Sequence, residues 1–199
     1  MLDPRFVILA SIIDLFGTAA YALDTLRGRT QPNRVSWLLW TVIPFITFAA
    51  QLSEHVGWSA LFTLVVAVGP GAVLIASFLD RKAYWKITQF DIVCGLLSVL
   101  AIILWLITQT GLIAILLSLA ADFLAGIPTL VKSYREPHTE SSSAYFAGIF
   151  SSGLTLLTIH TWNFATYSFP VYILIFCLVL FTLVQFPRFR PSHQPKVSS

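Results

Sequence analysis

The chain has 199 residues, of which 57% are hydrophobic and 11% charged, with a formal net charge of +3. Its mean hydropathy is +0.81. A soluble domain of this size has no single core able to hide so much apolar surface, and the polar helix faces of a soluble helical domain are missing, so composition points to an integral membrane protein. The isoelectric point near 9.0 is no nucleic-acid signal: the basic residues stand at the ends of apolar segments, where membrane orientation accounts for them.

Seven stretches reach about 20 mostly apolar residues, the length needed to cross a bilayer: roughly 6–26, 34–52, 57–79, 90–108, 111–132, 143–161 and 166–187. None alternates with period two, so each is expected to be a helix rather than a barrel strand. Connectors after spans 1, 3, 5 and 7 hold eleven of the twelve Lys and Arg residues, including Arg27, Arg34, Arg81, Lys82, Lys132, Arg135, Arg188, Arg190 and Lys196. By the positive-inside rule that side is cytoplasmic, which puts the N-terminus outside and the C-terminus inside.

Span 1 opens after Met1-Leu2-Asp3-Pro4-Arg5. This start lacks a basic n-region, and no small-residue cleavage pattern follows, so the span is expected to be retained. Near its middle stands Asp14. An ionised carboxylate at that depth costs about 2.5–3.5 kcal/mol even on insertion scales, so it faces a partner or a wet cavity, or holds its proton. The bland reading is a hydrogen bond to Thr18, one turn away.

In the next connector, Asn33 is positioned to cap span 2. Asn33 and Arg34, with Glu140 before span 6, read as helix N-terminal features or as inner-gate pairs. Span 2 carries Trp37, Trp40, Thr41, Pro44 and Thr47. Pro44 removes a backbone hydrogen bond and makes a hinge or a static kink. Gly69-Pro70-Gly71 is a further weak point in span 3. Asp91 opens span 4 as a helix-start acid or as a partner for Lys86. Cys94 and Cys177 lie in apolar segments without a partner nearby in sequence, so neither a structural disulfide nor a metal site is expected.

Span 5 repeats the pattern of span 1. Asp122 stands mid-helix, with Ser118 as its bland partner, and Pro128, which like Pro44 makes a hinge or a static kink, follows before Lys132. Spans 6 and 7 add Tyr145, Ser151, Ser152, Thr155, Tyr167 and Tyr172. Aromatics with scattered hydroxyls suit a small polar solute. Trp37, Tyr145, Trp162 and Tyr167 lie near helix ends and read as an interfacial belt. The deeper Trp40, Thr47, Ser152 and Tyr172 read as cavity lining. His55 and His160 read as interfacial histidines. No nucleophile motif, metal-spaced His pair or phosphate loop is present, so neither an enzyme nor a cofactor is expected.

A shift of 108 residues places Asp14 on Asp122, Arg27 on Arg135, Trp37 on Tyr145 and Thr47 on Thr155. Spans 1, 2 and 3 then overlay spans 5, 6 and 7, and span 4 is the insert that keeps the two triplets parallel. The expected units are residues 1–82, a linker helix at 83–110, residues 111–187, and a disordered cytoplasmic tail at 188–199.

The stretch "IPTLVKSYREPHTESSSAYF", with Pro128-Thr129, Lys132, Tyr134, Arg135 and Ser141 to Ser143, resembles the PQ-loop motif of SWEET, SemiSWEET and cystinosin-like transporters. In the first unit Ala20-Tyr21 replaces the Pro-polar pair, while Arg27, Arg29, Asn33 and Ser36 keep the connector's character. The resemblance implies an all-α, seven-helix 3+1+3 transporter whose two three-helix bundles rock about a midplane site. It also implies prolines in spans 1, 2, 5 and 6; this chain keeps Pro44 and Pro128, with Ala20 and Ser152 at the other two places. Sugar sites of that family resemble one another in using paired asparagines in spans 3 and 7, and neither span here has a central Asn. The expectation is therefore a small polar solute, sugar or amino-acid-like, with Asp14 and Asp122 tuning the cavity or carrying a coupling proton, in a plasma (inner) membrane. The rival expectation is a non-transporting receptor on the same fold, as the KDEL receptor resembles SWEETs in fold yet binds peptide tails.

Overall fold

The computed structural model describes residues 2–79, 85–108 and 111–186. Arg81, Lys82, Arg188, Arg190, Lys196 and the tail expected to be disordered lie outside the described residues. Seven α-helices and no strands are found among the described residues: α1 (Phe6–Leu26), α2 (Arg34–Ser53), α3 (Ser59–Leu79), α4 (Gln89–Thr108), α5 (Gly111–Arg135), α6 (Ser143–Leu157) and α7 (Phe164–Gln185). A single 3-10 turn, Pro137–Thr139, stands between α5 and α6. Five helices, α1, α2, α3, α5 and α7, are long and apolar enough to cross a membrane. The multi-pass membrane character expected from composition is therefore present in the structure.

Short polar signals fix the helix ends. The Asn33 side chain accepts from the Val35 and Ser36 amides at 3.1 and 3.3 Å, capping α2. At α4, the Asp91 carboxylate accepts from the Thr88 amide at 2.6 Å while the Thr88 hydroxyl accepts from the Asp91 amide at 3.3 Å, a reciprocal capping box. Asn163 and Thr166 form another at α7, at 3.0 and 3.1 Å. That cap starts α7 at Phe164, two residues earlier than expected, and α6 stops at Leu157, four residues short of its expected end. At the start of α3, Gly57 has φ +78°, which no right-handed helix accommodates, so the helix begins only at Ser59.

Inside and outside are inverted relative to a soluble protein. Large apolar side chains face outward, with Phe16, Leu79 and Ile107 each 70% or more exposed, while Ser, Thr and both mid-helix acids are buried. Lipid accepts the apolar exterior without cost. Many buried hydroxyls are satisfied within their own helices, as where Thr25 donates to the Tyr21 carbonyl at 3.0 Å and Thr155 to the Ser151 carbonyl at 2.8 Å, while those of Ser11, Ser36, Thr63, Thr129, Ser133 and Ser168 have no partner.

Helix α1 packs on α3 and α6, and α5 packs on α7 and α2. Helix α2 also packs on α3, and α6 on α7. Helix α4 packs mainly on α5, where the Ser98 hydroxyl donates to the Ala121 carbonyl at 2.9 Å. The α1–α6 crossing is close because Gly17 meets it: a Cβ there would stand 2.1 Å from the Ala147 Cβ and 2.9 Å from the Ser143 carbonyl oxygen. Two ends of the bundle are thereby defined. The Gln31 amide donates to the Thr139 carbonyl at 2.9 Å, joining the connectors after α1 and α5. At the other end the Leu2 amide donates to the Leu157 carbonyl at 2.9 Å, and Gln51 Nε2 to the Ala165 carbonyl at 3.3 Å.

Candidate functional site

A cavity of about 70 Å³ lies among six helices. Asp14 and Thr18 line it from α1, Trp37, Trp40 and Pro44 from α2, and Val66 and Pro70 from α3. Asp122 lines it from α5, Tyr145 and Gly148 from α6, and Phe176 and Cys177 from α7. No residue of α4 contributes to it among the described residues. Both acids that the sequence singles out therefore border one cavity, and both are at least 95% buried.

Neither carboxylate is well satisfied. Asp14 Oδ1 accepts from the Ser151 hydroxyl of α6 at 3.1 Å. Asp122 Oδ2 accepts from the Tyr172 hydroxyl of α7 at 2.7 Å, and its Oδ1 is buried without a hydrogen-bond partner. Thr18 and Ser118, the same-helix partners expected from spacing, do not bond these carboxylates. The Thr18 hydroxyl donates to the Asp14 main-chain carbonyl at 2.8 Å, and the Ser118 hydroxyl to the Ile115 carbonyl at 2.9 Å. A hydroxyl on a helix reaches the carbonyl one turn back more readily than a neighbouring carboxylate, and that geometry wins here. Trp40 Nε1 donates to the Asp122 carbonyl at 3.3 Å, tying α2 to α5 beside the acid.

Toward the connectors, the cavity ends on a polar layer whose Lys132–Glu140 pairing sequence reasoning did not name. Lys132 Nζ and Glu140 Oε1 pair at 2.6 Å with both side chains essentially buried. Glu140 Oε2 accepts from the Tyr21 hydroxyl at 2.5 Å and from the Tyr145 hydroxyl at 2.8 Å. Lys132 also donates to the carbonyls of Gln31 and Thr139, and its Nζ lies 5.1 Å from the Trp85 ring centroid. Every partner the pair needs is present, which is the condition for keeping a buried ion pair. Above this layer, Tyr21 packs on Trp37 at 4.7 Å between ring centroids. Trp37 and Tyr145 are 2% and 4% exposed, so they are core residues and not members of an interfacial belt. Trp162 is 55% exposed and stacks on Tyr167 at 5.9 Å. At the opposite end, Val7, Phe62, Phe169 and Ile173 form an apolar cluster.

The remaining expected site residues divide clearly. Trp40 lines the cavity, and Tyr172 reaches it through Asp122. Thr47 does not line it: its hydroxyl is 2.8 Å from that of Ser118 and 3.3 Å from the Ile43 carbonyl. Nor does Ser152, which donates to the Gly148 carbonyl of its own helix at 2.5 Å. Its neighbour Ser151 is the residue that donates to Asp14. Pro44 borders the cavity, while the buried Pro128 faces a groove between α4 and α5 with Trp85 and Lys132. Pro170 is a further intrahelical proline, in α7, that sequence reasoning did not weigh.

Arg27 and Arg135 are exposed at helix ends. Arg34 donates to the Ser77 hydroxyl and carbonyl, and its guanidinium lies 4.3 Å from the Phe78 ring centroid. Glu140 is no cap for α6; its carboxylate turns into the bundle. Asp91 meets Thr88 and Asn33 rather than Lys86, with Asn33 Nδ2 donating at 3.0 Å. His55 adopts φ +54° beyond α2, and His160 Nε2 lies 3.1 Å from the Leu2 carbonyl oxygen. Among the described residues no group of three or more His, Cys, Asp and Glu side chains is placed to hold a metal ion.

Comparison with protein-family models, curated proteins and solved structures gives no match for this chain.

Proposed function

We propose that this chain is a membrane transporter that moves a small polar solute by alternating access. The observation that carries the reading is the shared cavity: two buried, poorly satisfied carboxylates face one space built from both helix triplets. Structural acids are expected to be fully bonded, as Glu140 is, whereas a solute site keeps acceptors in reserve.

The packing supports the 3+1+3 layout. Exchanging α1 with α5, α2 with α6 and α3 with α7 turns the α1–α3, α2–α3 and α1–α6 contacts into α5–α7, α6–α7 and α5–α2, all of which occur. Helix α4 then serves as the linker that keeps the two units parallel, and it stands outside the cavity. The charge asymmetry supports an outside N-terminus, so the Lys132–Glu140 layer closes the cytoplasmic side. In the inward-open state this layer parts, and in the outward-open state the Phe62–Phe169 cluster does. Pro44 and Pro70 weaken α2 and α3 beside the cavity, where bending has to occur. The acids tune the cavity or carry a coupling proton. This reading agrees with the resemblance to PQ-loop transporters and with residence in a plasma (inner) membrane.

Reconstitution in liposomes tests it. Labelled sugars, amino acids and organic cations are offered with and without a pH gradient, and saturable uptake of at least one class is the expected result. Failure of every solute to enter, with tight binding of a peptide instead, would replace the transporter with a receptor on the same fold.

A further inference from the structure

The cavity's chemistry selects among small polar solutes. We propose that its occupant is a small organic cation, an amine or quaternary ammonium, held between the Asp14 and Asp122 carboxylates within aromatic walls. The proposal rests on the transporter reading for the movement of this solute, but the binding site stands on its own geometry.

The donor and acceptor balance excludes the alternatives. No Lys, Arg or His lines the cavity, so an anion meets two acids and no counter-charge. A neutral polyol needs donors as well as acceptors, and the wall has spent nearly all its donors. Thr18 donates to the Asp14 carbonyl, Tyr145 to Glu140 and Trp40 to the Asp122 carbonyl. The Trp37 indole N–H and the Cys177 thiol are what remains on the donor side. The acceptors, by contrast, are in surplus. Asp122 Oδ1 has no partner although the residue is 3% exposed, and Asp14 receives a single hydroxyl. A cation with few or no acceptors of its own is the complement of such a wall.

The aromatic geometry points the same way. Trp40 stands T-shaped to both Trp37 and Phe176, at 5.3 and 5.7 Å between centroids, and all three rings line the cavity with Tyr145. Ring faces attract cations, most strongly in desolvated sites, and aromatic cages are a recurrent solution for quaternary ammonium groups. Size narrows the class further, since about 70 Å³ holds a few water-sized groups. The acids' remaining neighbours are uncharged when protonated: Tyr172 and Cys177 from α7, Ser151 from α6 and Trp40 from α2. The nearest ion pair, Lys132 with Glu140, is engaged with itself. The 108-residue relation carries no serine over to Asp122, whose hydroxyl comes from Tyr172 instead. Ser151, the partner of Asp14, corresponds to Ile43 in the first unit, which offers Asp122 no hydrogen bond.

The test uses the full chain in liposomes with radiolabelled tetramethylammonium, whose fixed charge prevents leakage as a neutral amine. Binding is followed in parallel by tryptophan fluorescence, with glucose and glycine as neutral-class and zwitterionic controls. Saturable tetramethylammonium uptake is expected. Asp122→Asn should weaken binding on the order of 30-fold or more, and Trp40→Leu about fivefold, with both variants eluting as wild type in size exclusion. Glucose or glycine uptake without any tetramethylammonium effect overturns the cation class and leaves the transporter standing. Tetramethylammonium binding without uptake of any solute keeps the cation site and overturns transport. Uptake unchanged in Asp122→Asn overturns the assignment of the site, and neither binding nor uptake of any probe overturns both readings.

Discussion

Two groups of charge lie buried in this bundle, and they are treated in opposite ways. Around Glu140, each carboxylate oxygen has a partner, and the opposing ammonium is shared among a carboxylate and two main-chain carbonyls. Around the cavity, two carboxylates share one serine and one tyrosine hydroxyl, and Asp122 Oδ1 is buried with no partner. Burial costs an ionised group heavily in both places. On the proposed reading, the difference lies in who meets the cost: the fold itself at Glu140, and an incoming proton or solute at Asp14 and Asp122. Degree of satisfaction, rather than burial alone, separates a structural charge from a site.

The comparison is most easily broken at the connector layer. Glu140→Gln leaves the Lys132 ammonium without its counter-charge and should lower stability by about 3–5 kcal/mol, read as thermal unfolding in detergent. The double variant Lys132→Met with Glu140→Leu should lose less than the two single changes together, because no orphan charge remains. Next in size is Gly17→Val. It inserts atoms where even a Cβ would collide with Ala147, should cost about 1–3 kcal/mol, and should part Asp14 from Ser151. Ser151→Ala removes the hydroxyl on Asp14 and should cost about 1 kcal/mol. The smallest stability effect belongs to Asp122→Asn, which should leave unfolding within about 1 kcal/mol of wild type or raise it while abolishing transport. If Asp122→Asn proves as damaging to stability as Glu140→Gln, the two charge groups are alike and the division above fails.

Much of this was legible in the chain. Apolar runs and polar gaps locate the helices because both follow from bilayer thickness, and the matched depth of Asp14 and Asp122 follows from counting residues. Position along a helix gives depth but not azimuth. For that reason Trp37 and Tyr145, near helix ends, looked like an interfacial belt and are in fact the floor of the cavity. Ser152 was favoured over Ser151 for the same reason, since neighbouring residues differ by about 100° around the axis. Glu140 was read as a helix-start feature or as an inner-gate partner with Asn33 and Arg34, and its actual partners, Lys132, Tyr21 and Tyr145, went unnamed because nothing local signals that the Pro137–Thr139 turn folds its carboxylate back under α1. Such cross-helix partnerships are set by packing, and packing here depends on close approaches such as Gly17 on Ala147.

Cys177 gives the protein a built-in reporter. It lines the cavity with both acids, and the second cysteine, Cys94, is buried on α4 away from it. Under the proposed alternating access, alkylating reagents added from one face of the membrane should reach the Cys177 sulfur only while that face is open to it. The native chain can therefore be interrogated for sidedness of access, and for protection by an occupant, without introducing a single engineered residue.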